Sequence, residues 1–227
     1  MKIGIIVAMG KELALLTPML GNATTSSYNG FEILSGAIGR HSVAVMKCGI
    51  GKVNAAIGTL AMIDTFAPHL IINTGVAGGT GQGAGVLDIV IGNRVAYHDV
   101  WCGPGTEWGE AAGCPPYFEA DPAVAALPCF DRREIKRGLI ASGDIFVSRV
   151  EEVERIKALY PDVMAVDMES GAIAQTCHMK GVRFFCFRVI SDTPGADDNI
   201  SQYCNFWTDA PTHTFELLTT IIDQLKD

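Results

Sequence analysis

No two cysteines in this chain stand at metal-ligand spacing. The seven, at positions 48, 102, 114, 129, 177, 186 and 204, are odd in number and scattered, with no CxxC and no Cys/His grouping. That pattern points away from a zinc site and from a disulfide framework, and toward small buried thiols in a reducing compartment. Positive charge is also scarce. Seventeen Lys and Arg face 25 Asp and Glu, for a formal net charge of −8, and no basic cluster interrupts the excess of acid. A nucleic-acid surface is therefore not expected. No apolar run approaches membrane-spanning length. The run Ile3 to Val7 is too short for the core of a signal peptide, and no small-residue cleavage pattern follows it. The expectation is a soluble, cytoplasmic protein with no metal and no other cofactor.

What is present is apolar residue and glycine. Hydrophobic residues make up 48% of the 227, and 25 glycines imply many tight turns around a well-buried sheet. The length suits a single domain over 1–227, deep enough for a three-layer core. Apolar runs at Lys2–Ala8, Pro68–Gly75, Val86–Gly92, Gly138–Val147 and Arg183–Ile190 read as buried strands, and Phe31–Ser35 and His41–Lys47 as a strand pair. Helical spacing follows Gly51, covers Val150–Leu159, and returns near the C-terminus with Phe215, Leu218, Ile221 and Leu225 on one face. Strands alternating with helices predict an α/β fold: three layers, α/β/α, around a central mixed β-sheet. No linker and no internal repeat is visible.

Gly79 to Ala84 matches the GxGxxA dinucleotide pattern, but a strand-like run follows where a helix is required. A dinucleotide site is rejected. Cys48 to Lys52 is not a phosphate-binding P-loop, because the spacer and the Ser/Thr after the lysine are missing.

The acids are more informative. Asp167 and Glu169 lie one residue apart where an apolar run gives way to helical spacing. On extended backbone they share one face, with Met168 on the other. Paired carboxylates need a cation, hydrogen bonds or a ligand, and a sugar diol supplies only donors. Acids at a helix start are equally what the helix dipole favours. Glu12 and Asp192 each follow another buried run, the usual place for working residues in α/β folds. Arg188, within the last strand, the aromatic Phe146 and a glycine turn at Gly75 complete a candidate pocket.

Together, Ile3–Met9 with Glu12, Cys48–Val53, Ile72–Gly75, Ala77–Gly79, Tyr97–Asp99, Ser142–Asp144, Val166–Glu169 and Arg188–Asp192 resemble one family over essentially the whole chain. It is the bacterial 5′-methylthioadenosine/S-adenosylhomocysteine nucleosidases of the nucleoside phosphorylase superfamily. The resemblance implies a phosphorylase/hydrolase-like fold and hydrolysis of an adenine nucleoside, with water as co-substrate. It implies Glu12 as the base on water, Asp192 as the acid on N7 of the leaving adenine, and Glu169 as the grip on the ribose hydroxyls. Phe146 would stack on adenine, the Val147 backbone would read its edge, and Phe206 would cover the ribose. Met9, Ile50, Val76, Asp167, Met168 and Arg188 would complete the substrate contacts. A homodimer is also implied, with the partner's segment near 101–109 closing the 5′ end.

The chain departs from the family pattern at Val76, where a serine is usual, at Asp167, where glutamate is usual, and in a shorter 101–109 segment. Val100, Trp101 and Trp108 are candidates for an apolar 5′ lining, or for packing at the dimer seam. A phosphorylase, a nucleosidase acting on another 5′ group such as that of aminofutalosine, and a non-catalytic nucleoside-binding protein remain as alternatives.

Overall fold

The computed structural model describes residues 1–209 and 211–226; the side chains of residues 208, 209 and 211–215 lie outside that description. In chain order the strands and helices are β1 (Lys2–Val7), α1 (Gly10–Leu16), β2 (Gly21–Tyr28), β3 (Phe31–Ile38), β4 (His41–Lys47), α2 (Lys52–Phe66), β5 (Leu70–Asn73), β6 (Val76–Gly79), β7 (Ile89–Tyr97) and β8 (Phe118–Glu119). They continue with α3 (Pro122–Ala125), β9 (Ile135–Ser142), α4 (Val150–Leu159), β10 (Val163–Asp167), α5 (Ser170–Lys180), β11 (Arg183–Asp192), α6 (Asn199–Asp209) and α7 (Pro211–Gln224).

The strands form one mixed sheet in the order β2-β3-β4-β1-β5-β11-β6-β10-β9-β7-β8. Strand β1 alternates its side chains across that sheet. Ile3, Ile5 and Val7 face a core shared with Leu16, Leu218 and Ile221 of α1 and α7. Ile6 faces a second core with Met62 of α2 and Ile173 of α5. Buried on both faces, such strands lose the polar alternation of a half-exposed sheet and read as continuous apolar runs. The expected three layers are present. Leu218, Ile221 and Leu225 are buried as expected, while Phe215 has its side chain outside the described residues.

The sheet also closes on itself, which the chain's patterning does not reveal. Strand β11 pairs with β5 through Arg183–Cys186, with β7 through Phe187–Val189 and with β6 through Val189–Asp192. With β6 joined to β10, β10 to β9 and β9 to β7, five strands complete a ring. One strand thereby carries Arg188 and Asp192 from the open sheet into the ring. Gly79 ends β6, and a turn rather than a helix leads on to β7, in keeping with the rejected dinucleotide site. Strand β2 was not expected: all eight of its residues are exposed, so it has no apolar face to betray it.

Candidate active site

A cleft open at its mouth lies at the C-terminal ends of β1, β10 and β11. Met9, Ile50, Phe146, Val147 and Met168 form apolar walls, and Glu12, Glu169, Ser191 and Asp192 supply the polar atoms.

Glu12 sits in the first turn of α1 and folds back under the end of β1. Its Oε2 accepts from the backbone N–H of Ala8 at 3.0 Å and Met9 at 2.9 Å, and its Oε1 from Val76 N–H at 3.1 Å. Gly75 makes this approach possible. Its φ is +149°, and a Cβ there would lie 2.4 Å from Oε1. Burial raises the Glu12 pKa, and the three N–H donors and the Arg188 charge oppose that rise. Val76 thus lacks a serine hydroxyl but still holds the carboxylate through its backbone.

Asp192 ends β11. Its Oδ1 accepts from Ser191 Oγ at 2.6 Å, and its Oδ2 accepts from Asn199 Nδ2. Burial raises its pKa as well, against those two donors. The cleft therefore holds two carboxyl groups biased toward holding a proton, the usual condition for acid–base work near neutral pH.

Asp167 and Glu169 do lie where a strand passes to a helix, but they do not act as a pair. The backbone turns at Glu169, with φ −131° and ψ −34°, so the shared face is lost. Asp167 reaches the cleft wall, yet its Oδ2 is held by Arg188 through Nε at 2.9 Å and Nη2 at 2.6 Å. Ser170 Oγ donates to its Oδ1 at 2.8 Å. Of the partners left open for the paired acids, Asp167 has a cation and hydrogen bonds. Among the described residues, Glu169 has one side-chain hydrogen bond, accepted by Oε1 from Gly51 N–H at 2.8 Å. Burial, then the nearby Asp167 charge, pushes its pKa up to about 7. Arg188, expected among the substrate contacts, is fully buried, also donates to Asn73 Oδ1 and to Phe187 O, and does not line the cleft.

Among the described residues no group of three or more His, Cys, Asp or Glu side chains is arranged to hold a metal ion. No helix among the described residues is long and apolar enough to cross a membrane.

Residues 2–223 match the family model described as the phosphorylase superfamily. A 5′-methylthioadenosine/S-adenosylhomocysteine nucleosidase of Bacillus thuringiensis is 37% identical over 232 residues, covering all of both chains. The chain belongs to this nucleosidase family. In structure it is similar to the S-adenosylhomocysteine nucleosidase of Streptococcus pyogenes in complex with 5-methylthiotubericidin, with a TM-score of 0.94 and 34% identity over 100% of this chain and 98% of that one. The methylthioadenosine/adenosylhomocysteine nucleosidase of S. pneumoniae, with the transition-state inhibitor MT-ImmA, gives 0.93 and 35% over 100% of each.

Two expectations drawn from the family resemblance meet a different geometry. Phe206 is only 5% exposed and belongs to the core beneath α6, outside the cleft. The aromatic at the cleft is Tyr203, one helical turn earlier, set edge-on to Phe146 with ring centroids 5.8 Å apart. A helix places residues three apart on neighbouring lines, so the start of α6 decides which aromatic faces the cleft. Val100, Trp101 and Trp108 do not line the cleft of their own chain. The two indoles stack on each other at 6.2 Å and remain 53% and 38% exposed, while Val100 packs against the core beside α2 and α5. Ser191, Asn199, Asn73 and Tyr203 are site residues that sequence reasoning missed. Asn73 and Ser191 lie within the motifs quoted for the resemblance, but no spacing rule gives them a partner.

Proposed function

We propose that this protein hydrolyses the N-glycosidic bond of 5′-methylthioadenosine, S-adenosylhomocysteine or both, releasing adenine. The observation that carries the reading is the pair of buried, hydrogen-bonded carboxyl groups, Glu12 and Asp192, opening onto one cleft with Glu169 and the Phe146 ring. Cleavage of such a bond passes through an oxocarbenium-like state, which needs an acid at the leaving group and a base at water. In this reading Glu12, ionised, takes a proton from water as the water oxygen bonds to C1′. Asp192, protonated, delivers its proton to N7 of the purine as the C1′–N9 bond breaks. Glu169 accepts from the ribose hydroxyls, Phe146 and Tyr203 flank the base and sugar, and the Val147 backbone reads the adenine edge.

Hydrolysis rather than phosphorolysis is supported by the lining. Phosphate needs cationic donors, and no Lys or Arg lines the cleft among the described residues. Arg188, the nearest cation, is engaged by Asp167 and Asn73. The deciding measurement is product analysis with methylthioadenosine, with and without phosphate. Free methylthioribose in both conditions is expected; methylthioribose 1-phosphate would make the protein a phosphorylase.

The active form in this reading is a homodimer in which the exposed Trp101–Trp108 pair meets the partner's cleft at its 5′ end. Flat rings bury much area at small entropic cost, and an alkylthio group needs an apolar lining.

A further inference from the structure

Glu169 owes its orientation to a turn 118 residues earlier in the chain, and that turn is built from outside itself. Helix α2 begins after Gly51, which has φ +94° and no side chain to cap the first N–H groups. A helix start leaves such groups without internal partners. Here the cap comes from the turn after β9: Asp144 Oδ1 accepts from Lys52 N–H at 2.7 Å. Asp99, two residues past β7, ties the pieces together. Its Oδ2 accepts from Asp144 N–H at 2.8 Å and from Lys52 Nζ at 2.8 Å. The fit is close, since a Cβ on Gly51 would lie 3.0 Å from Asp144 Oδ1.

The same cluster reaches Glu169 from its other side. The Lys52 ammonium lies 5.4 Å from the centre of the Tyr97 ring. That ring packs so tightly on Gly171, in the first turn of α5, that a Cβ there would meet Tyr97 Cε1 at 2.5 Å. The Tyr97 hydroxyl donates to Gln175 Oε1, one turn further along α5, at 2.8 Å.

We infer that Lys52, Asp99 and Asp144 form a clasp of positioning residues, which fixes the Gly51 N–H and so aims Glu169 at the substrate's ribose hydroxyls. None of the three side chains lines the cleft. The clasp rests on the reading of Glu169 as the diol-binding acid. Displacing the Gly51 N–H removes the one hydrogen bond described for a buried carboxylate, and such losses propagate into misplacement of the group that binds.

The test compares kcat/KM for methylthioadenosine and its 2′-deoxy analogue in the full-length protein. Asp144→Ala is expected to lower the ribonucleoside value about tenfold and the deoxy value less than about threefold, the size of one lost hydrogen bond. Asp144→Asn, which keeps an acceptor for Lys52 N–H, should recover most of the loss. In a Glu169→Gln background, Asp144→Ala should add almost nothing, because both changes act on one contact. Asp99→Ala gives the same comparison should Asp144→Ala fail to fold. Equal losses on both nucleosides, or full additivity with Glu169→Gln, would overturn the clasp and leave it a purely structural cap. If Glu169→Gln alone leaves the ribo-to-deoxy preference intact, the diol reading itself fails, and the clasp falls with it.

Discussion

At the scale of single residues the site is a set of carboxyl groups in different surroundings. Asp167 faces an arginine, whereas Glu12, Glu169 and Asp192 are raised chiefly by burial. Asp192→Asn keeps a hydrogen-bonding side chain but has no proton to deliver, so turnover should fall by at least about 10²-fold while nucleoside binding survives. Near-normal turnover in that variant would move the acid elsewhere. Because Glu12 must be ionised to accept a proton and its pKa is raised, the acid limb of the kcat/KM profile should lie above the ordinary 4.5 of a glutamate. Glu169 has a stability consequence. Its folded pKa of about 7 exceeds its ordinary 4.5, so its contribution is fully present below 4.5 and lost as pH rises through 7. Glu169→Gln should therefore stabilise the protein at pH 8, on the order of 1–3 kcal/mol, and much less at pH 5. Thermal melts at the two pH values check this, and an equal change at both would contradict it.

Among the elements, α6 separates packing from binding within one turn. Phe206 lies in the core and Tyr203 faces the cleft beside Phe146, with its hydroxyl 3.4 Å from Met9 Sδ. Phe206→Ala removes a buried ring and should cost about 3–5 kcal/mol of stability with little direct effect on KM. Tyr203→Ala should do the reverse, raising KM while moving the melting temperature only slightly. Measuring Tm and KM for both variants decides the assignment; a large KM effect confined to Phe206→Ala would restore it to the cleft. The same helix shows why sequence patterning stopped short. Tyr203, Phe206 and Trp207 are all plausible inward residues, and only the path from Asp192 to Asn199 fixes the rotation of the helix that follows.

For the whole molecule the open question is what the Trp101–Trp108 pair meets. If it closes the 5′ end of a partner's cleft, Trp101→Ala or Trp108→Ala should lower kcat/KM for methylthioadenosine far more than for adenosine, whose 5′ group reaches less of it. If it only packs the seam of the proposed homodimer, both nucleosides should suffer together and that dimer should dissociate more readily on dilution. Kinetics with both nucleosides, alongside sedimentation, separate the two outcomes.

The sequence alone determined the layered α/β fold and the positions of the acids in the chain. Strands such as β1 and β11 are buried on both faces and so appear as unbroken apolar runs, and Glu12 and Asp192 stand just past or at the ends of such strands. Exposed β2, with no apolar face, left no such trace. Tertiary structure decided the rest, because a side chain's partner depends on which strands are neighbours. Strand β11 divides its pairing between sheet and ring, and that brings Arg188 to Asp167 and so decides which of the possible partners this acid has. Asp99 and Asp144 meet the turn at Gly51 across 47 and 92 residues of chain, as seen in their bonds to Lys52. No local periodicity encodes a contact of that kind, since period reports which face a residue occupies and not what lies opposite it.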